Sequence, residues 1–237
     1  IPMWQIKADT IYHDPSMQKL HFKNAWIEVV GVPVFFTPYL RIPEPGIKRA
    51  TGLLTPKVLT SNLLGVGIKQ PYYINLNPSS DITASILKTT KTKILLETEY
   101  RKLFETGALK ISSAAKPNNS TNILDGYFQI VGNINILNDS KLSFDATAVS
   151  DSGFLGKYGY SDTDRLTSYI SLTKQDGNNF SEVSTTYFTS LRDNYQEEYI
   201  VVPNFYTRYF NNHTQLDLST STEISVVGLT KTKSENN

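Results

Sequence analysis

From about residue 65 to the end, apolar and polar side chains alternate along the chain. In residues 93–104, Ile94, Leu96, Tyr100 and Phe104 share one parity, and Lys93, Glu97, Glu99 and Arg101 take the other. Residues 128–136 set Phe128, Ile130, Ile134 and Ile136 against Gln129, Asn133 and Asn135. Residues 142–148 set Leu142, Phe144, Ala146 and Ala148 against Ser143, Asp145 and Thr147. Residues 215–226 set Leu216, Leu218, Ile224 and Val226 against Gln215, Asp217, Ser219, Ser221, Glu223 and Ser225. A period of two belongs to a strand with one apolar face. The segments match the roughly 9–11 residues with which a tilted strand crosses a bilayer. Weaker strands fill residues 67–76, 82–88, 108–113, 166–173, 183–191 and 199–209. Turn-forming clusters separate them at residues 77–81, 117–120, 138–139, 176–179 and 211–212. The pattern predicts roughly ten strands after Gly65, joined mainly by hairpins, with no helix and no internal repeat.

The start of the chain reads differently. Trp4, Ile6 and Ala8 weakly oppose Gln5, Lys7 and Asp9, His13-Asp14-Pro15 is turn chemistry, and residues 20–27 resume a strand. The run at residues 29–36 reads as a strand buried on both faces. Pro38, Pro43 and Pro45 then follow quickly, with Gly46 behind them. Proline fixes φ and removes a donor, so residues 38–46 are neither helix nor central strand. They read as a hinge between two β modules: residues 1–46, a linker at 47–65, and residues 66–237.

Composition narrows the classes. The net charge of +1 gives no field that would attract nucleic acid. The absence of cysteine excludes disulfides, thiol chemistry and zinc–thiolate sites. No run reaches the roughly 18 apolar residues of a membrane helix, but a transmembrane barrel would read the same way, because only alternate residues face lipid. Residues 1–4 have no basic segment and no apolar core of a signal peptide. An exported protein that starts so is expected to be a piece of a longer chain.

The string GVPVFFTPYLRIPEPGIKRATGLLTP at residues 31–56 is specific. Its Gly31, Val32, Pro33, Val34, Phe35, Pro38 and Tyr39, then Pro43, Glu44 and Pro45, then Arg49, Gly52, Leu54 and Pro56, resemble the signature of the lipopolysaccharide-assembly outer-membrane proteins of the LptD (OstA, Imp) family. Upstream, Trp4, Ile6, Ala8, Ile11, Asp14, Phe22, Asn24 and Ala25 fit the same family. Downstream, Pro71, Tyr72, Tyr73, Asn75, Pro78 and Asp81, then Glu99-Tyr100-Arg101, then Ser150-Asp151 and the run from Ser161 to Ser168 also match. The likeness spans nearly the whole chain and is weakest after about Tyr209. One departure is Ile86, where the family often has a proline in the second barrel strand.

The resemblance implies an all-β fold: the end of a periplasmic β-jelly roll (1–46), a hinge, and the first roughly ten strands of a large antiparallel transmembrane β-barrel (66–237). It implies an outer-membrane protein with its N-terminal part in the periplasm, a translocon rather than an enzyme, inserting lipopolysaccharide into the outer leaflet. Acyl chains would follow the jelly-roll groove and sugars the barrel lumen, and a lateral gate would open beside the first barrel strand, where Pro71 weakens the ladder. Implied partners are lipopolysaccharide, a plug lipoprotein (LptE-like) and a periplasmic bridge protein (LptA-like), with no cofactor. Trp4, Ile6, Ile11, Phe22, Trp26, Val34 and Phe36 are the candidate lipid groove, or equally a sandwich core. The other readings are a porin-like or structural barrel without this transport role, and a soluble β-rich binding protein.

No catalytic constellation stands out. His13, His21 and His213 are far apart and read as turn or surface residues, and no metal-ligand spacing is present. Glu97 and Glu99 share a face with Arg101, which fits a lumen charge ladder better than an acid–base pair. The sequons at Asn118, Asn119 and Asn212 read as polar turns. Tyr72, Tyr73, Phe104, Tyr127, Phe128, Tyr206, Tyr209 and Phe210 lie near strand ends and read as an interfacial aromatic belt.

Overall fold

A computed structural model describes residues 4–46, 49–118, 124–136, 139–192, 198–213 and 218–232. The chain is all-β, in two antiparallel sheets. Residues 119–121, Asn138, Thr214 and residues 215–217, all parts of the turns and strand read above, lie outside the described residues.

The first sheet has three strands: β1 (Trp4–Asp14), β2 (Lys19–Val29) and β3 (Val32–Pro43), in the order β1-β2-β3. Asp14 closes the first turn, its Oδ1 accepting from the Ser16 N–H, the Ser16 hydroxyl and the Met17 N–H. The run at 29–36 is not one strand buried on both faces. It is a hairpin whose turn is Val30-Gly31, with φ of 52° and 82°. Two successive positive φ values form the tight turn that matches strand twist. Val32, Val34, Phe35 and Phe36 are exposed. A continuous apolar run carries no period that would mark where it turns.

The prolines need a second correction. Pro38 and Pro43 lie inside β3, not in a hinge. β3 is an edge strand, and an edge strand accommodates proline where the missing N–H would face away from its partner. Only Pro45 and Gly46, with φ of +109°, lie in the turn that leaves the sheet. In β2, Phe22 and Ala25 share one buried cluster with Leu40 despite their odd spacing. Asn24 lies between them at φ 48°, a left-handed backbone that resets the alternation.

The second sheet begins with two short strands in the stretch read as linker, β4 (Gly52–Leu53) and β5 (Lys57–Ser61). Ten long strands follow: β6 (Gly65–Asn77), β7 (Ser80–Thr89), β8 (Leu95–Phe104), β9 (Gly107–Pro117), β10 (Leu124–Asn135), β11 (Ser140–Val149), β12 (Arg165–Asp176), β13 (Asn179–Ser190), β14 (Glu198–His213) and β15 (Leu218–Thr232). Each pairs with its neighbours in sequence, and β4 and β5 both pair with β6. A five-residue helix, α1 (Phe154–Tyr158), interrupts the pattern between β11 and β12. It is too short for a helical period to register in the sequence.

The two sheet faces differ as the alternation requires. Register aligns Ile111, Ile130 and Ala146 on one face, continuing to Tyr100 and Ile82. The other face carries Lys69, Ser85, Glu97, Ser112, Gln129, Asp145 and Thr167. Side chains from β6 to β12 on this face line one cavity of about 860 Å³, so the sheet curls around it.

Candidate functional site

Consider first the outer edge of β6. Leu54 N–H donates to the Pro71 carbonyl at 3.0 Å. A residue's N–H and C=O point the same way in a strand, so the donor that Pro71 lacks also faces this edge and not β7. Leu54 and Pro71 would otherwise exchange two bonds. The returning bond is replaced by Gln70, whose side-chain amide reaches the Leu54 carbonyl at 2.8 Å and the Pro71 carbonyl at 2.9 Å. The register then slips: Leu53 pairs Tyr72, but Lys57 pairs Lys69, leaving Thr55 and Pro56 opposite Gln70. Two prolines, Pro56 and Pro71, therefore thin the ladder at the same point.

The chain reaches that edge through a polar latch. Arg49 pairs Asp81 at 2.7 Å, donates to Tyr73 Oη at 3.2 Å and donates to the Pro78 carbonyl. Arg101 holds the other Asp81 oxygen at 2.7 Å, and Tyr73 donates to Asp81 at 3.2 Å. Asp81 is buried, so two guanidiniums and a phenol compensate a carboxylate that would otherwise be costly. Asn75 adds two bonds, its N–H to Thr51 Oγ1 and its side chain to the Arg49 carbonyl, both 2.9 Å. The turn between β6 and β7 is thus stitched to the segment that leaves the first sheet.

The cavity has a polar wall and an apolar cap. Lys69 pairs Glu97, and Arg101 and Lys110 flank Glu99 at 3.7 and 3.6 Å, so Glu97 and Glu99 belong to a ladder of paired charges. α1 folds over this face. Phe154 and Leu155 are buried against Leu87, Leu95 and Ala114, with Tyr127 and Tyr160 packed alongside. Gly159, at φ 71°, ends the helix, and Tyr160 N–H returns to the Leu155 carbonyl at 2.9 Å. Tyr160 donates its hydroxyl to Glu97 Oε1 at 2.5 Å, and burial together with that carboxylate raises its pKa. Among the described residues no three His, Asp or Glu side chains converge as a metal site.

No family model matches the chain. Curated relatives do. It is 34% identical over 159 residues to the LPS-assembly protein LptD of Pseudoalteromonas atlantica, covering 66% of this chain and 21% of that protein. It is 27% identical over 217 residues to LptD of Idiomarina loihiensis, covering 88% of this chain and 28% of the relative. Against LptD of Salmonella paratyphi A it is 29% identical over 227 residues, again 88% and 28%. The chain belongs to the LptD family. It spans between about a fifth and somewhat more than a quarter of the length of these relatives.

The residues that carry the LptD resemblance fall at the sites just described: Arg49, Tyr73, Pro78 and Asp81 in the latch, Leu54, Pro56 and Pro71 at the thinned edge. The candidate groove residues do not gather in one place. Phe22 is core, with Ile6 against it. Trp26 packs on Phe36 instead, ring centroids 4.8 Å apart. Trp4 and Ile11 are exposed, and Val34 is the extra residue of a bulge between Pro33 and Phe35. Nor do the aromatics form one belt. Tyr72, Phe128 and Tyr209 are exposed, but Tyr73 enters the latch, Tyr127 packs on Tyr160, and Tyr206 packs on Phe180. His21 is not a surface residue: it is buried in β2, stacked on Tyr12 and bonded to Tyr39. Its burial follows from register alone, which one sequence does not reveal.

Proposed function

We propose that this chain supplies the end of a periplasmic jelly roll, the segment joining it to a barrel, and the first ten strands of that barrel, in a protein that inserts lipopolysaccharide into the outer leaflet of the outer membrane. The observation that carries this reading is the outer edge of β6. A strand that must open sideways needs an edge that holds and yet parts. Among the described residues that edge is covered only by β4 and β5, with a break where Pro56 and Pro71 meet.

Turn lengths support an orientation. The ends of β6, β8, β12 and the latch share one rim with short turns, whereas α1 and the longer connections that follow β7 and β9 lie at the other. Barrels keep short turns on the periplasmic side and long loops outside. The latch rim is then periplasmic, beside the three-stranded sheet. Acyl chains travel along the apolar side chains of that sheet, such as Trp26 and Phe36, at ~0.8 kcal/mol per buried CH₂. Sugars take the polar cavity. A plug lipoprotein fits inside the curled sheet, and a periplasmic bridge protein adds to a free edge of the three-stranded sheet. None of these steps makes or breaks a bond.

Pro71→Ala in the whole protein tests the reading. The restored N–H completes the pair with Leu54, worth ~0.5–1.5 kcal/mol net. Surface lipopolysaccharide, measured under limiting expression, should arrive more slowly from a normally folded barrel. Unchanged delivery would leave Pro71 as an ordinary edge residue.

A further inference from the structure

Inside the cavity Glu97 and Glu99 are held by Lys69, Arg101 and Lys110, whereas at the long-loop rim lysines outnumber carboxylates. Lys88, Lys91, Lys93, Lys116 and Lys157 line one polar pocket of about 430 Å³. Three stretches far apart in sequence bring them together: the β7–β8 connection, the end of β9, and α1. Asp125 is the pocket's acid, and Lys116 already holds it at 2.5 Å with Asn118 on its other oxygen. The remaining four lysines have no carboxylate in ion-pair range among the described residues. The sequence between Asn118 and Leu124 contains no acid.

This excess is not a matter of composition, since the chain has 23 basic and 22 acidic residues. Five lysines line this one pocket, and charges closer than about one Debye length, roughly 8 Å in physiological salt, repel with little screening. Two of them are nonetheless held in place, Lys91 by the Asn62 carbonyl at 2.8 Å and Lys88 by the Thr92 carbonyl at 3.3 Å. Tyr158 forms part of the wall, and its hydroxyl is buried with no hydrogen-bond partner among the described residues. Five lysines against a single carboxylate leave the pocket rich in ammonium donors and short of negative charge.

We propose that this pocket binds phosphoryl groups, several at once. Phosphate oxygens supply the negative charge that the pocket lacks, and a multiply charged anion offsets the lysine repulsion. The site itself does not depend on the transport reading. That its ligand is a phosphorylated glycolipid head group, met at the outer rim, does rest on it.

The experiment uses the whole protein in a nonionic detergent. Acetylation by acetic anhydride is read at each lysine with and without inorganic pyrophosphate, and pyrophosphate binding is measured by calorimetry. Lys91, Lys93 and Lys157 should be protected, and Lys102 and Lys141, on the opposite rim, should not. Lys91→Gln/Lys93→Gln/Lys157→Gln should weaken binding about tenfold or more, and added salt should weaken the unmodified protein's binding. The same measurements are repeated with a diphosphorylated glycolipid and its dephosphorylated form in mixed micelles. Phosphate-dependent retention of the glycolipid identifies a head-group site, and pyrophosphate binding alone identifies a site for soluble phosphates. Absence of protection together with unchanged binding by the triple variant overturns the proposal, as does glycolipid binding indifferent to its phosphates. Failure of Pro71→Ala to slow delivery would remove the gate role of Pro71 and leave this result intact.

Discussion

Leu54 donates its N–H to the carbonyl of Pro71 at 3.0 Å, and Pro71 has no N–H to return. The Gln70 side chain fills the place of the missing bond. The segment arriving from the first sheet is therefore itself the cover of the β6 edge, and it is hydrogen-bonded less completely than a regular ladder. Everything proposed about lateral release follows from that edge.

The latch should matter for the arriving segment before it matters for the sheet. Asp81→Asn keeps the shape but removes the charge that two arginines share. The expected cost is ~1–3 kcal/mol, the range for a buried polar group deprived of its charged partnership. Limited trypsin digestion should then cut at Arg49, while the long hairpins stay protected. Protection of Arg49 equal to the unmodified protein would mean that the segment is held elsewhere.

Facing can be tested at two adjacent positions in the middle of β10. Ile130 aligns with Ile111 and Ala146 on the convex face, and Gln129 bonds Asp145 at 3.1 Å on the concave one. If the convex face meets lipid, Ile130→Arg should cost ~2–4 kcal/mol in a bilayer. Gln129→Arg should cost little, because its guanidinium meets Asp145. Ile134, by contrast, lies at the rim, close to the end of β10, and is a poor probe. Urea titration in lipid vesicles reads both, and equal costs would reverse the assignment of faces.

Acid should loosen the three-stranded sheet. Lys7 at 2.9 Å and Gln5 at 2.6 Å hold the Glu28 carboxyl below its usual range. The Ser16 hydroxyl and the Met17 N–H do the same for Asp14. A carboxylate lowered on folding stabilises the fold above its unfolded pKa, about 4, and that stabilisation is lost as pH falls through the lowered value. The chain's two tryptophans, Trp4 and Trp26, both lie in this sheet, so their fluorescence reports it alone. Their emission should shift below about pH 4, and Glu28→Gln should shallow the transition. A transition unchanged by that variant would place its cause elsewhere.

Much of this was legible in the sequence because long strands write a period of two. All but the last of residues 128–136 fall within β10 and residues 142–148 within β11, and the count of about ten strands after Gly65 matches β6 to β15. The departures have physical causes. Residues 52–61 are too short and too broken by Pro56 to alternate, so β4 and β5 read as linker. The Val30-Gly31 turn hides inside an apolar run. Asn24 flips the faces of β2 through its backbone, which no hydrophobic pattern records. α1 has five residues, fewer than two turns. The Arg49–Asp81 pair spans 32 positions, and register, not spacing, brings the two together.

The most direct test of the central claim locks the edge of β6. Leu53 and Tyr72 face each other across β4 and β6, and both are exposed. Because Leu54 and Pro71 form the bonded pair, Leu53 and Tyr72 form the closer non-bonded one, with Cα atoms about 4.5 Å apart, suited to a disulfide. This chain has no cysteine to compete. Leu53→Cys/Tyr72→Cys is oxidised in the whole protein, and the arrival of newly made lipopolysaccharide at the cell surface is followed before and after reduction. Delivery should stop in the oxidised form and resume on reduction, with each single cysteine variant unaffected. Delivery at the normal rate with the disulfide between the two introduced cysteines fully formed would show that this edge does not open.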